Sequence, residues 1–246
     1  MNSELGQTFE MSRYIDLDLY HAVEKTHPFY VEMTALIIQK ISNFCMKQGS
    51  RKILELGAGT GLFSKELLKL DGLELDILEY DIECCRILEQ NVDQKKCQII
   101  HGDAVTYRNT KYYDIIVSVF AHDHICYEKG KLFSGNIAEN LTEGGLYIMG
   151  GELLPEFSNN EERREALYKY HLYIINKALK ENNFEVAQIE INALKSGLEM
   201  IGDFKRHEKM FEEEMGSGGL KLIGKSKVGP SETNDVGGVF VYIFEA

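Results

Sequence analysis

Three glycines stand at alternate positions in Ile53-Leu54-Glu55-Leu56-Gly57-Ala58-Gly59-Thr60-Gly61, between an apolar run and a helical pattern. Such a turn lets a ligand lie against bare backbone, because no Cβ intervenes and φ is unrestricted. Glu55 adds a carboxylate inside the strand end. A second acid, Asp81, lies 20 residues after Gly61 and closes the run Leu75-Asp76-Ile77-Leu78-Glu79-Tyr80-Asp81. An acid at the end of the second strand can accept both hydroxyls of a ribose. Glu79 competes for that role, and Asp81 taken alone reads as the N-cap of the helix that Ile82 begins. Further along, His122-Asp123-His124 follows an apolar run. Imidazole titrates near neutrality, so His122 or His124 could act as a base, with Asp123 orienting a ring or holding a cation. Packing or capping is the competing role for either histidine. A metal reading of His-Asp-His finds no further ligand set in the sequence, so no metal site is expected.

These groups need a frame that brings strand ends together. Apolar runs at 52–56, 73–80, 98–101, 113–120 and 145–149 read as strands, and helical patterns fill 62–70, 82–92 and 128–141. Strands alternating with helices imply parallel strands joined by crossovers. The fold class expected is therefore α/β: a doubly wound, seven-stranded, mostly parallel sheet with helices on both faces. Residues 12–48 read as helical, with Pro28 in the first turn of the second helix. A long helix is expected over 161–182 and two more over 185–215, and strands at 220–228 and 239–244 close the chain as an antiparallel pair. Four segments follow: an N-terminal helical lid (1–48), a cofactor-binding core (49–155), a helical insertion on the acceptor side (156–216) and a strand pair completing the sheet (217–246). Both helical segments are expected to cover the carboxyl ends of the strands, where open α/β sheets bind ligands.

Two cofactor classes use a glycine turn of this kind. The dinucleotide fingerprint Gly-x-Gly-x-x-Gly fails here, because Leu62 occupies its third glycine position. The pattern Glu-x-Gly-x-Gly-x-Gly instead resembles motif I of class I, Rossmann-like S-adenosylmethionine-dependent methyltransferases. The resemblance is carried by residues 51–150: the glycine loop, Asp81-Ile82-Glu83 opening the next helix, and His101-Gly102-Asp103-Ala104 after the third strand. It implies that Glu55, Gly57, Ala58, Gly59, Gly61, Asp81, Ile82, Asp103 and Ala104 bind S-adenosylmethionine, with Asp81 on the ribose and Asp103 on the adenine side. It also implies that the loop of His122, Asp123 and His124 faces the methyl group, and that S-adenosylhomocysteine is the product. Glu152, after the fifth strand, could reach the acceptor or stand in water. Tyr14, Tyr20, Tyr170 and His171 could line an aromatic acceptor pocket, with ordinary packing as the alternative.

The acceptor is bounded by charge rather than named. The chain has 246 residues and a formal net charge of −12, and it lacks the basic stripe that a grip on phosphate backbones requires. Nucleic acid is therefore not the expected partner. No Asn-Pro-Pro-Tyr, Asp-Pro-Pro-Tyr or Pro-Cys nucleophile motif is present. A small-molecule acceptor methylated on O or N is expected, with a protein or peptide acceptor, or a non-catalytic partner-binding module, as alternatives. The five cysteines form no Cys-x-x-Cys pair, residues 1–10 carry no apolar leader core, and no run approaches a membrane span. The chain reads as cytoplasmic, with no membrane partner and a homodimer left open.

Overall fold

The computed structural model describes residues 10–49 and 52–246. Residues 1–9, which carry most of the stretch read for a leader signal, lie outside the described residues, as do 50 and 51. Seven strands form one sheet: β1 (Lys52–Leu56), β2 (Glu74–Glu79), β3 (Cys97–His101), β4 (Tyr113–Val119), β5 (Leu141–Leu153), β6 (Lys221–Gly229) and β7 (Gly238–Glu245). Their spatial order is β3-β2-β1-β4-β5-β7-β6. The first five pair in parallel, whereas β7 runs antiparallel between β5 and β6. The sheet is thus the one expected from the alternation of strand and helix, with the closing antiparallel pair at its edge and β7 next to β5.

Side chains alternate between two apolar layers, as the period of two in a strand requires. Ile53, Ile77, Ile115, Val117, Ile148 and Val241 face one layer. It is covered by α2 (Tyr30–Gln48), α3 (Leu62–Leu67) and α4 (Ile82–Asn91) through Met33, Ile37, Ile41, Phe63, Leu67 and Leu88. Leu54, Ile116, Tyr147, Met149, Tyr242 and Phe244 face the other layer. There α5 (Gly130–Asn140) brings Phe133 and Ile137, and α8 (Glu208–Ser217) brings Phe211 and Met215. Each fully buried Leu, Ile or Phe among them contributes about 1.5–3 kcal/mol. Within the stretch 1–48 expected as a lid, α2 is therefore a helix of the sheet layer. Its approach explains Gly150 in the middle of β5: a Cβ there would lie 2.5 Å from Ile37 Cδ1. Among the described residues of that stretch, α1 (Leu17–Val23) with its flanks, and Tyr30 at the start of α2, reach the strand ends.

The insertion supplies α6 (Asn160–Lys180) and α7 (Phe184–Glu199), capped by Asn159 and Asn183. Between α7 and α8 the chain returns to the sheet: Leu154 N–H donates to Arg206 O at 2.9 Å, and Phe204 N–H donates to Asp123 O at 2.7 Å. Arg206 is fully buried. Its guanidinium donates to the carbonyls of Ile125 and Phe204 and to both sides of Glu214 Oε2, at 3.0 and 3.1 Å. It locks the β4 exit loop onto α8. Among the described residues no helix is long and apolar enough to cross a membrane.

Replacing Arg206 leaves Glu214 buried without its guanidinium, and breaking a buried pair costs about 3–5 kcal/mol. Arg206→Met should lower the urea unfolding free energy by that order. Arg206→Lys should not restore it, because an ammonium cannot span the two carbonyls and the carboxylate together.

Candidate active site

A cleft opens at the carboxyl ends of β1, β2, β3 and β4. Its wall includes Glu55, Gly57, Ala58, Gly59, Thr60, Glu79, Asp81, Gly102, Asp103 and Ala104. The glycines have distinct reasons. Gly57 has φ +66°, and a Cβ would sit 2.6 Å from Ala121 Cβ, so the loop and the β4 exit touch through it. At Gly59, φ is +54° and nothing lies closer than 3.8 Å to a Cβ, so this residue leaves the cleft floor bare. Gly61 does not line the cleft: its Cβ position meets Leu88 Cδ1 at 2.5 Å, so it serves the packing of α3 on α4. Ile82 likewise stands outside the cleft wall, with 38% of its surface exposed.

Asp81 is occupied as a cap. Its Oδ1 accepts from Glu83 N–H at 2.8 Å and Cys84 N–H at 3.4 Å, and its Oδ2 accepts from Ser12 N–H at 2.7 Å. It ties the N-terminal segment to α4. Glu79 lies nearer the loop: Oε2 accepts from Gly59 N–H at 2.7 Å and Oε1 from Asp81 N–H at 2.8 Å. The sequence named Glu79 only as the competitor. The geometry brings its carboxylate to the glycine turn and gives Asp81 the capping work.

Glu55 is 2% exposed and its Oε2 makes no hydrogen bond. Burial first, then the charge of Glu79, pushes its carboxyl up to about 8. A buried carboxyl oxygen on the cleft wall without a partner fits a ligand that brings a cation, as the ammonium of S-adenosylmethionine would.

The His122–His124 turn sends its members to different places. His122 is buried between Phe133 and Phe211, with Nε2 at 2.8 Å from Glu214 Oε1, and lines neither the cleft nor the cavity beside it. Burial, then Arg206, lowers its pKa and favours the neutral ring. His124 lines both spaces. Its Nδ1 lies 2.6 Å from Gly202 O, an acceptor only, so Nδ1 carries the hydrogen and Nε2 keeps the lone pair. Tyr14 Oη donates to the same carbonyl at 3.2 Å.

The second cavity, about 550 Å³, shares Met11, Tyr14, Tyr20, Phe120 and His124 with the cleft. Its far wall carries Glu24, His27, Asp123, Glu152, Glu190, Asp203 and Lys205. Lys205 Nζ donates to Asp203 at 2.7 Å and to Asp123 at 3.0 Å, and pairs with Glu152 at 3.1 Å. Burial raises the Asp123 carboxyl, but Lys205 and His124 outweigh it and hold it at about 2. Burial pushes Glu24 up to about 7. Burial also opposes charge on His27, yet the hydrogen bond to Glu190 and the charges of Glu190, Glu152 and Glu24 raise it to about 9. Glu152 thus stands on the acceptor side. Tyr170 and His171 stand behind it: Tyr170 is buried against Leu154, Leu167 and Ile174, and His171 Nδ1 donates to Glu190 Oε2 at 2.8 Å. His27 and Glu190 carry no local motif, and Asp203, Lys205 and Arg206 show in sequence only as a polar break between helices.

Residues 53–145 match a family model described as a methyltransferase domain. The comparison with curated proteins gives no match. Among solved structures, an S-adenosylmethionine-dependent methyltransferase from Clostridium acetobutylicum superposes with TM-score 0.62 at 13% identity, covering 93% of this chain and 96% of that one. A proposed sarcosine dimethylglycine methyltransferase from Galdieria sulphuraria gives TM-score 0.63 at 11% identity, covering 87% and 85%. Phosphoethanolamine N-methyltransferase 2 of Haemonchus contortus, in complex with S-adenosyl-L-methionine, gives 0.50 at 14% identity over 72% of this chain and 35% of that one. Residues 53–145 are thus similar to a methyltransferase domain, and the seven-stranded sheet has the fold of class I S-adenosylmethionine-dependent methyltransferases.

The raised Glu55 carboxyl has a signed consequence. Its neutral form is favoured on folding, so its contribution is complete below the ordinary carboxyl range and lost as pH rises through about 8. Without cofactor, urea midpoints of Glu55→Gln and the native protein should match at pH 5 and diverge in favour of the variant by pH 9. Cofactor binding at pH 7 should release protons in the native protein and not in the variant, read by calorimetry in two buffers.

Proposed function

We propose that the protein methylates an O or N atom of a small-molecule acceptor held in the cavity beside the cofactor cleft. The observation that carries this reading is that the two spaces share Tyr14, Phe120 and His124 as lining, under a wall supplied by Ile189, Glu190, Ala193 and Ser196 of α7. The two similar structures named for amine methylation are consistent with a nitrogen acceptor, and the carboxylates of the far wall suit a cation.

S-adenosylmethionine supplies a methyl group on a sulfonium sulfur, which leaves as the neutral thioether of S-adenosylhomocysteine. Gly57, Ala58 and Gly59 would give it bare backbone, Glu55 would answer its ammonium, Glu79 would take the ribose hydroxyls, and Asp103 and Ala104 would border the adenine. His124 Nε2, kept free by the Gly202 carbonyl on Nδ1, accepts the proton of the nucleophile. Tyr14 and Tyr20 close the space above and exclude water. The supporting role of Asp81 is to cap α4 and hold Ser12, and that of His122 is to pack the exit loop.

Glu79→Ala should weaken cofactor affinity by about 10–100-fold, the worth of hydrogen bonds to a charged group. Asp81→Ala should act mainly on thermal stability, and equal losses of affinity in both variants would return the ribose role to Asp81. His124→Ala should lower turnover by about 10²–10⁴-fold with cofactor affinity nearly unchanged. Labelled methyl from S-adenosylmethionine, offered to a size-fractionated cell extract, should enter the small-molecule fraction. Label in the protein fraction would favour a peptide acceptor, and no label in either would remove the small-molecule reading.

A further inference from the structure

The far wall of the acceptor cavity holds a convergence of donors that hydrogen bonding leaves incompletely answered. His27 Nδ1 lies 3.1 Å from Pro28 O. A carbonyl only accepts, so Nδ1 carries a hydrogen and Nε2 is the ring atom left for a second proton or a metal ion. Nε2 faces two carboxylate oxygens, Glu190 Oε1 at 3.1 Å and Glu152 Oε1 at 3.4 Å. A proton on Nε2 makes one hydrogen bond, to Glu190, whereas a metal ion in its place can take all three atoms as ligands.

The second oxygen of each carboxylate is already held. Glu190 Oε2 accepts from His171 Nδ1 at 2.8 Å, and Glu152 Oε2 is ion-paired with Lys205 Nζ at 3.1 Å. Each glutamate therefore presents one oxygen, with its orientation fixed by an outer partner, as metal sites require. All three donor atoms lie within 4.8 Å of one another. Around an ion about 2.1 Å from each ligand, adjacent donors stand about 3.0 Å apart in an octahedron and about 3.4 Å in a tetrahedron. The two measured edges have those lengths. The hydroxyl of Tyr170, fully buried, faces the same Glu152 from behind the cavity wall.

We propose that His27 Nε2, Glu152 Oε1 and Glu190 Oε1 bind one divalent first-row transition metal ion, with its open positions facing the acceptor cavity. One imidazole and two carboxylates, without a thiolate, suit Mn²⁺, Fe²⁺ or Zn²⁺ over soft monovalent ions. The donors come from the segment before α2, from β5 and from α7, so an ion would clamp the insertion to the sheet. That such an ion holds an acceptor atom rests on the methyl-transfer reading. The binding site itself does not.

The test uses the full chain, stripped with chelator, without cofactor or acceptor. Mn²⁺ and Zn²⁺ are titrated separately, with bound metal counted by mass spectrometry and Mn²⁺ followed by electron paramagnetic resonance. One equivalent should bind, with nitrogen coupling from one imidazole that His27→Ala abolishes. His27→Ala and Glu190→Gln should each weaken binding by about 100-fold or more, while Glu139→Gln on the surface should not. Circular dichroism checks the fold. If Glu190→Gln does not fold, Glu152→Gln replaces it, since Lys205 then keeps Asp123 and Asp203. Binding below a tenth of an equivalent, or equal affinity in native protein and folded ligand variants, would overturn the metal site and leave an ion-pair cluster. Either result is read without methyl transfer, so failure here and failure of the methyltransferase reading are distinguishable.

Discussion

An ammonium removed from water must be surrounded by acceptors, and Lys205 takes three carboxylates to satisfy that need. Its side chain is 3% exposed. Asp123 comes from the β4 exit, Glu152 from the end of β5 and Asp203 from the break between α7 and α8. One cation therefore joins the sheet's carboxyl edge to the inserted helices. The acceptor cavity exists because these elements meet at a charge they cannot leave unanswered. The hydrogen bonds from Phe204 to Asp123 and from Leu154 to Arg206 extend the same seam along the backbone.

The seam also separates two kinds of polar residue. Arg206, Glu214 and His122 form a closed set in which the guanidinium, carboxylate and imidazole satisfy one another and the surrounding carbonyls. Such a set stabilises and positions. Glu55, by contrast, keeps an unpartnered oxygen on the wall of the cleft. A buried polar group left short of partners costs stability.

The N-terminal segment couples the two spaces. Ser12 N–H donates to Asp81, His21 Nδ1 lies 2.8 Å from Thr60 Oγ1, and Tyr14 shares the Gly202 carbonyl with His124. The segment thus rests on the glycine loop, on the cap of α4 and on the β4 exit at once. Met11, Tyr14 and Tyr20 border both cavities.

The sequence by itself determined the elements whose signals are local. Strand runs, the glycine turn and the acids after the second and third strands are read from spacing of a few residues, because the backbone periods are fixed at 2 and 3.6. The sheet and most of the cofactor wall were legible for that reason. Tertiary structure alone decided the rest. His122 and His124 share one short turn, where two residues of separation point to opposite sides, so no pattern distinguishes the packed ring from the one on the cavity. Asp81 and Glu79 likewise differ only by which one the N-terminal segment covers. The helix read as a lid, α2, is set on the sheet face by the bare backbone of Gly150, a relation 100 residues away in the chain. His27, Glu152, Glu190 and Lys205 carry no mutual spacing at all. Their partnership arises when desolvated charges from distant elements are forced to find one another, a constraint that acts only once the chain is packed.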